Sequence, residues 1–144
     1  MTTLREAVID LLQADGTLMG ILTGGVWERR EISRTLTPSV YTASGAMKPC
    51  AVVTVEATSP LGPAEFDFET VFFQVWLYEE TGNHYASIDP ARDRVRALLH
   101  RQTVVISAGG IHEIRHADGL GDSFDETLNA EMTYERFYAW RKRA

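Results

Sequence analysis

One cysteine, Cys50, is all that the 144 residues contain, so no internal disulfide can form and the cross-linked scaffolds of small secreted domains are excluded. Basic charge is scarce as well: 14 lysines and arginines stand against 20 aspartates and glutamates, a formal net charge of −6. The electrostatic footprint of a protein that grips nucleic acid is missing. An acidic surface repels DNA at short range and suits a protein that lets DNA pass. No apolar run approaches the roughly 20 residues needed to cross a bilayer, and residues 1–25 lack the basic start, apolar stretch and small-residue cleavage site of a signal peptide. A soluble protein made inside the cell, with no membrane partner, is expected. With 44% hydrophobic residues the length sustains one domain over 1–144 with a core of its own, and is too short for two.

Regular structure begins at once. Thr3 and Glu6 have the spacing of a capping box, and Leu4, Ala7, Val8, Leu11 and Leu12 follow as a single helical stripe that Gly16 should end. Residues 17–22 add a short helical turn, Gly24-Gly25 stops it, and Val26-Trp27 opens a short strand. Residues 31–49 hold Pro38, Gly45 and Pro49 without sustained periodicity, which predicts a long loop or arm. CAVVTVEATS at 50–59 is rich in β-branched residues and reads as a strand, PLGP at 60–63 as a turn, and 69–80 as the strand that completes the pair. Asp89-Pro90 should cap and open a second helix whose inward side is Ala91, Val95, Leu98, Leu99 and Gln102. Strands at 103–107 and 111–116 flank a Gly109-Gly110 turn, and 117–127 reads as a polar loop. The last strand, from about Leu128 to Trp140, changes its apolar alternation midway, which predicts a bulge or bend near Glu135-Arg136. Helices that cluster at two points give an α+β fold: a largely antiparallel or mixed sheet with two main helices packed on it.

Catalytic signatures are few. His112 and His116 have the spacing of a helical metal pair, but on a strand that spacing holds them about 13 Å apart, too far to share one ion. Cys50, at a strand start after Pro49, is expected as a small buried filler. No nucleophile elbow, dinucleotide turn or phosphate-binding loop is present. The carboxylates Glu65, Asp67 and Glu69, with Asp118, Asp122, Asp125 and Glu126, read as solvated faces and not as paired acids. Arg92, Arg94, Arg96 and Arg101 form the densest basic cluster, in which Arg92 and Arg96 share a helical row suited to an acidic partner or to solvent. No catalytic residue, metal ligand or cofactor is expected, and the chain is read as no enzyme.

The stretch ETVFFQVWLYEE at 69–80 puts Val71, Phe73, Val75 and Leu77 on one side and Phe72, Trp76 and Tyr78 on the other, with only Gln74 breaking the second side. Either a neighbouring molecule covers the second side, or the helices and the 31–49 arm cover both within one subunit. The opening helix LREAVIDLLQAD, then GGVW, KPCAVVTVE, VFFQVWLYEE running into SIDPARDRVRALLHRQ, and a closing strand ending FYAW together resemble the tail-terminator (tail-completion) family of long-tailed bacteriophages. The resemblance spans nearly the whole chain and rests on patterns of apolar character; the 31–49 segment has no counterpart in it. It implies a virion protein, made in the host cytoplasm, that assembles as a ring of six. Such a ring caps the head-proximal end of the tail tube, ends its polymerisation and offers the docking surface for the head connector. Its partners would be itself, the tail tube protein, the head–tail connector protein and double-stranded DNA passing through without sequence-specific binding. A connector or stopper ring or a tube-like subunit of the same particle is the nearest alternative, and a small enzyme or ligand-binding domain a more distant one. Phe72, Trp76, Tyr78, Arg92 and Arg96 are the candidates for subunit contacts, and Asp67, Asp122, Asp125 and Glu126 for an acidic lumen. Loops at 31–49, 59–68 and 117–127 are expected to carry contacts along the ring axis.

Overall fold

A computed structural model describes residues 3–28, 38–60, 68–106 and 110–142. In chain order the elements are α1 (Leu4–Gln13), α2 (Gly16–Ile21), β1 (Gly25–Glu28), β2 (Cys50–Pro60), β3 (Phe68–Glu80), α3 (Ile88–Leu99), β4 (Thr103–Ile106), β5 (Gly110–Asp125) and β6 (Ala130–Lys142). They build one six-stranded sheet in the order β1-β2-β3-β6-β5-β4, antiparallel except where β1 runs parallel to β2. The α+β class read from the sequence holds. The sheet curls, and α1 lies against both of its edge strands.

Local chemistry sets the helix limits. At α1 the Thr3 hydroxyl accepts from Glu6 N at 3.2 Å while Thr3 N donates to Glu6 Oε2 at 3.0 Å, the reciprocal cap that the spacing predicts. Gly16 does not end this helix. Ala14 closes α1 and Asp15 caps α2, accepting from Leu18 N at 2.8 Å, so Gly16 becomes the first residue of the next helix. Asp89 and Pro90 sit two positions further into the helix than expected: Ser87 is the cap and α3 starts at Ile88, after a turn with His84 and Tyr85 in the left-handed region (φ 55° and 60°). That turn is anchored from the sheet and needs no side-chain cap. Ser87 N donates to Glu79 Oε2 at 3.0 Å, and Tyr85 N donates to Glu131 Oε1 at 3.2 Å.

All three helices pack on one face of the sheet. Leu4, Val8 and Leu12 of α1, Leu18 of α2 and Ile88, Ala91, Val95 and Leu99 of α3 share a core with Val71, Phe73, Val75 and Leu77 of β3. Phe73 and its register partner Phe137 stack with centroids 5.4 Å apart at its centre. Val40 and Met47 come from the segment after residue 37, which makes a short 3₁₀ turn at Pro38–Val40 and a bridge between Tyr41 and Met47. They seal a smaller cluster on the opposite face with Cys50, Val52, Tyr78 and Ala130. Cys50 is the buried filler expected, and burial pushes its thiol up to about 12. The remainder of the predicted arm (31–37), the PLGP turn from Leu61 and residues 107–109 lie outside the described residues.

Two strand expectations are corrected. Residues 117–125 are no loop: they continue β5, paired to β6 with register shifts between His116 and Asp118 and between Leu120 and Ser123. β6 itself pairs with β3 without interruption from Ala130 to Lys142, so the expected bulge at Glu135-Arg136 is absent. Its apolar alternation changes because Glu131, Thr133 and Glu135 occupy core-face positions, while the backbone continues straight through; the irregularity belongs to its neighbour β5.

α2 and α3 are tied by a two-pronged ion pair, Arg94 Nε to Asp15 Oδ2 at 2.9 Å and Nη2 to Oδ1 at 2.6 Å. Those hydrogen bonds hold the Asp15 carboxyl at about 2, below its ordinary 3.8. A depressed carboxyl contributes stability that is fully present above the ordinary value and vanishes as pH falls through the folded one. Asp15→Asn, which keeps the helix cap, should therefore be less stable than the parent at pH 6, with the gap closing between about pH 4 and pH 2; urea midpoints across that range check it.

Candidate interaction surface

The face of the sheet turned away from the helices is aromatic along its middle. Phe72, Trp76, Tyr134 and Tyr138 alternate there on β3 and β6 and are half-buried, and Trp140 is 42% exposed. Register pairs Phe72 with Tyr138 and Trp76 with Tyr134, and their centroids lie 6.0 and 4.8 Å apart. The Arg136 guanidinium stands 4.2 Å above the Phe72 ring and forks onto Glu56, with both nitrogen–oxygen distances 3.0 Å. Gln74, the one polar interruption expected in this row, serves its neighbour: Trp76 Nε1 donates to Gln74 Oε1 and to Thr54 Oγ1, each at 3.1 Å. The indole N–H is thus satisfied inside the subunit, and the stripe presents ring surface outward.

The residues singled out in the sequence divide accordingly. Phe72 and Trp76 lie on this face, whereas Tyr78 is buried beneath the 38–49 segment with Val40 and Met47 and is taken up within its own subunit. Asp122 and Glu126 are exposed, at the end of β5 and in the turn that follows. Asp125 accepts from Leu128 N at 2.9 Å to hold that turn, and it lines a cavity of about 150 Å³ with Val52, Thr54, Trp76, Tyr78 and Met132. A residue expected at a lumen and residues expected at a subunit contact therefore border one small cavity. Asp67 lies outside the described residues. Of the loops expected to bear axial contacts, 117–125 is strand and only the 126–129 turn and the 38–49 segment are described as non-strand structure.

Arg92 and Arg96 point to a residue that the sequence reading missed. Both bind Glu135 Oε1, from Arg92 Nε at 2.6 Å and Arg96 Nη2 at 2.7 Å, and His116 Nε2 reaches Glu135 Oε2. Burial alone would raise this carboxyl, whose side chain is 0% exposed; hydrogen bonds from Arg96, Arg92 and His116 outweigh it and hold the group below its ordinary value. His116 N also donates to His100 Nδ1 at 3.0 Å, so His116 is no free surface histidine. The arginine row at i and i+4 was visible in the sequence; a period-two series of polar residues at 131, 133 and 135 was the matching signal on the strand.

No family profile matches the sequence, and no curated protein matches it. Among solved structures, a chain of the "Virion of native gene transfer agent (GTA) particle" superposes with a TM-score of 0.74 at 15% identity, covering 96% of this chain and 94% of that one.

Gly119, paired with Glu135 on β5, lies so close to the cluster that a Cβ there would stand 3.0 Å from Arg92 Nη2, Glu135 Oε2 and the Tyr134 carbonyl oxygen. Gly119→Ala should destabilise the fold by about 1–3 kcal/mol because a backbone atom must shift. Gly121→Ala, two residues along with nothing within 4 Å, should stay within about 0.5 kcal/mol. Equal effects in chemical denaturation would contradict this placement. In fold, the chain is similar over almost its whole length to a chain of that virion.

Proposed function

We propose that the chain is a structural virion protein working as a ring-forming tail terminator, without bond chemistry of its own. The observation that carries the reading is the near end-to-end likeness in fold to a chain of a gene transfer agent virion, joined to the tail-terminator pattern running from LREAVIDLLQAD to FYAW. The half-exposed aromatic stripe supports it, because a row of partly buried rings with satisfied polar tips is what a protein partner covers.

In this reading six copies close a ring by heterologous contacts. One face of the ring copies the tube's stacking surface and the other does not, so tube growth halts geometrically. The second face receives the head connector. Phe72, Trp76 and Trp140 meet a neighbouring copy or the next layer, and Asp122, Asp125 and Glu126, with Asp67, turn a negative wall to the lumen, where DNA slides without sticking.

Mixing the purified protein with polymerising tail-tube subunits tests the role. Electron microscopy should show shorter tubes with one end blocked, and Trp140→Ser should weaken capping at least tenfold while leaving thermal stability within a few degrees. Binding to the portal complex with no effect on tube length would instead identify a stopper ring. A monomer that touches neither component would remove the virion role altogether.

A further inference from the structure

Six of the seven arginines whose side chains are described lie within ion-pair distance of a carboxylate; Arg101 does not. It is exposed, and its backbone is left-handed (φ 66°), a conformation that glycine or asparagine adopts more easily. Its N–H is fixed there by the Ile114 carbonyl at 2.7 Å. An arginine kept at such a position, with no partner among the described residues, has its side chain available for a contact outside the subunit. Two residues on begins β4, the last strand of the sheet, which pairs with β5 alone. Val104 turns into the core, and Val105 is 68% exposed, the most exposed of the large hydrophobic side chains.

The opposite end of the sheet is complementary. Between α1 and β1 runs a groove of about 460 Å³ whose apolar walls are Ile9, Val26 and Trp27 and whose rim carries Glu6, Asp10 and Glu28. Glu28 has Arg5 at 3.9 Å and Glu6 holds the Thr3 amide, but Asp10 is exposed and has no ion pair among the described residues. Gln13 Nε2 donates to the Val26 carbonyl at 3.2 Å, so this acceptor of β1 is already engaged from α1. The groove accordingly suits side chains better than an added strand.

We infer that the β4 edge of one copy seats in the α1–β1 groove of the next, with Val105 against the Ile9–Trp27 wall and Arg101 against Asp10. The occupant is a second copy of this chain because each end of the sheet carries what the other lacks: an unpaired cation beside an exposed apolar side chain, and an unpaired anion beside an apolar recess. Two different patches, on the two edge strands that flank α1, make a heterologous contact, which repeats from copy to copy and closes when the rotation permits. This inference rests on the ring reading above and specifies the joint by which the ring closes.

The full-length chain carrying both Asp10→Cys and Arg101→Cys, treated with a short bismaleimide, should give a ladder of covalent multimers. Each single variant should give none, since the native Cys50 is buried and out of reach. In parallel, Arg101→Glu should raise the concentration for half-assembly, followed by light scattering, at least tenfold. Arg101→Glu combined with Asp10→Arg should restore most of that loss. A parent chain of multimeric mass with no ladder, and with Arg101→Glu assembling normally, would overturn this joint and leave the ring intact. A parent chain that stays monomeric at every concentration, alone and with tail tubes, would overturn the ring and the joint together.

Discussion

The structure depends on carboxylates placed where a sheet should be apolar. Glu79 on β3 and Glu131 and Glu135 on β6 all face the helix layer, and all three are buried. A buried carboxylate left alone would be strongly unfavourable. Each is answered by α3 or by the turn that leads into it: Glu79 by Ser87 N and Asn83 Nδ2, Glu131 by Tyr85 N, and Glu135 by Arg92 and Arg96. The helix is thus held at its start by backbone donors and along its length by two guanidiniums. Apolar packing of Ala91, Val95 and Leu99 would hold α3 down without fixing where along the sheet it lies. Directional bonds to three fixed oxygen groups supply that position.

The same fastening explains the division between the two sheet faces. Because α1, α2 and α3 all go to one face, the cover on the other among the described residues is the 38–49 segment, whose Val40 and Met47 cluster with Cys50 and Tyr78 and meet Trp76 at the margin. Of the two alternatives left open for the VFFQVWLYEE strand, cover by its own chain is realised at Tyr78. Tyr78 is covered by its own chain, whereas Phe72 and Trp76 stay half-buried with aromatic neighbours on β6 and, among the described residues, no helix above them.

How far the sequence could be read depended on whether each segment's burial was one-sided and uninterrupted. α1 was legible because its cap and its stripe of Leu4, Val8 and Leu12 agree, and β3 because its apolar, mostly β-branched and aromatic residues run from Val71 to Tyr78 with Gln74 as the interruption. β5 beyond His116 was not: it carries Asp118, Gly119, Gly121 and Asp122 on an irregular register, so no period of two survives for a reader to find. In β6 the alternation was real but hidden, since the core-face residues at 131, 133 and 135 are polar. The partners of Glu131 and Glu135, in the turn before α3 and on α3 itself, are as many as 46 residues away in sequence, and only the folded chain brings them together. Phe72 and Trp76 lie on the face opposite Val71 and Phe73, as the alternation of a strand dictates. The roles of Arg92, Arg96 and Tyr78 were decided by tertiary contacts that spacing does not reveal.

What remains on the outer face is suited to contact by its rigidity as much as by its apolar area. Trp76 is held by two hydrogen bonds from its indole nitrogen, Phe72 lies between Tyr138 and the Arg136 guanidinium, and Arg136 is itself forked onto Glu56. These rings have few rotamers left to lose. A partner that covers them gains the apolar burial without first ordering the surface or stranding a polar atom. The polar framework around the rings therefore keeps the stripe in one arrangement before any contact is made, through the Trp76 indole bonds and the Arg136 fork onto Glu56.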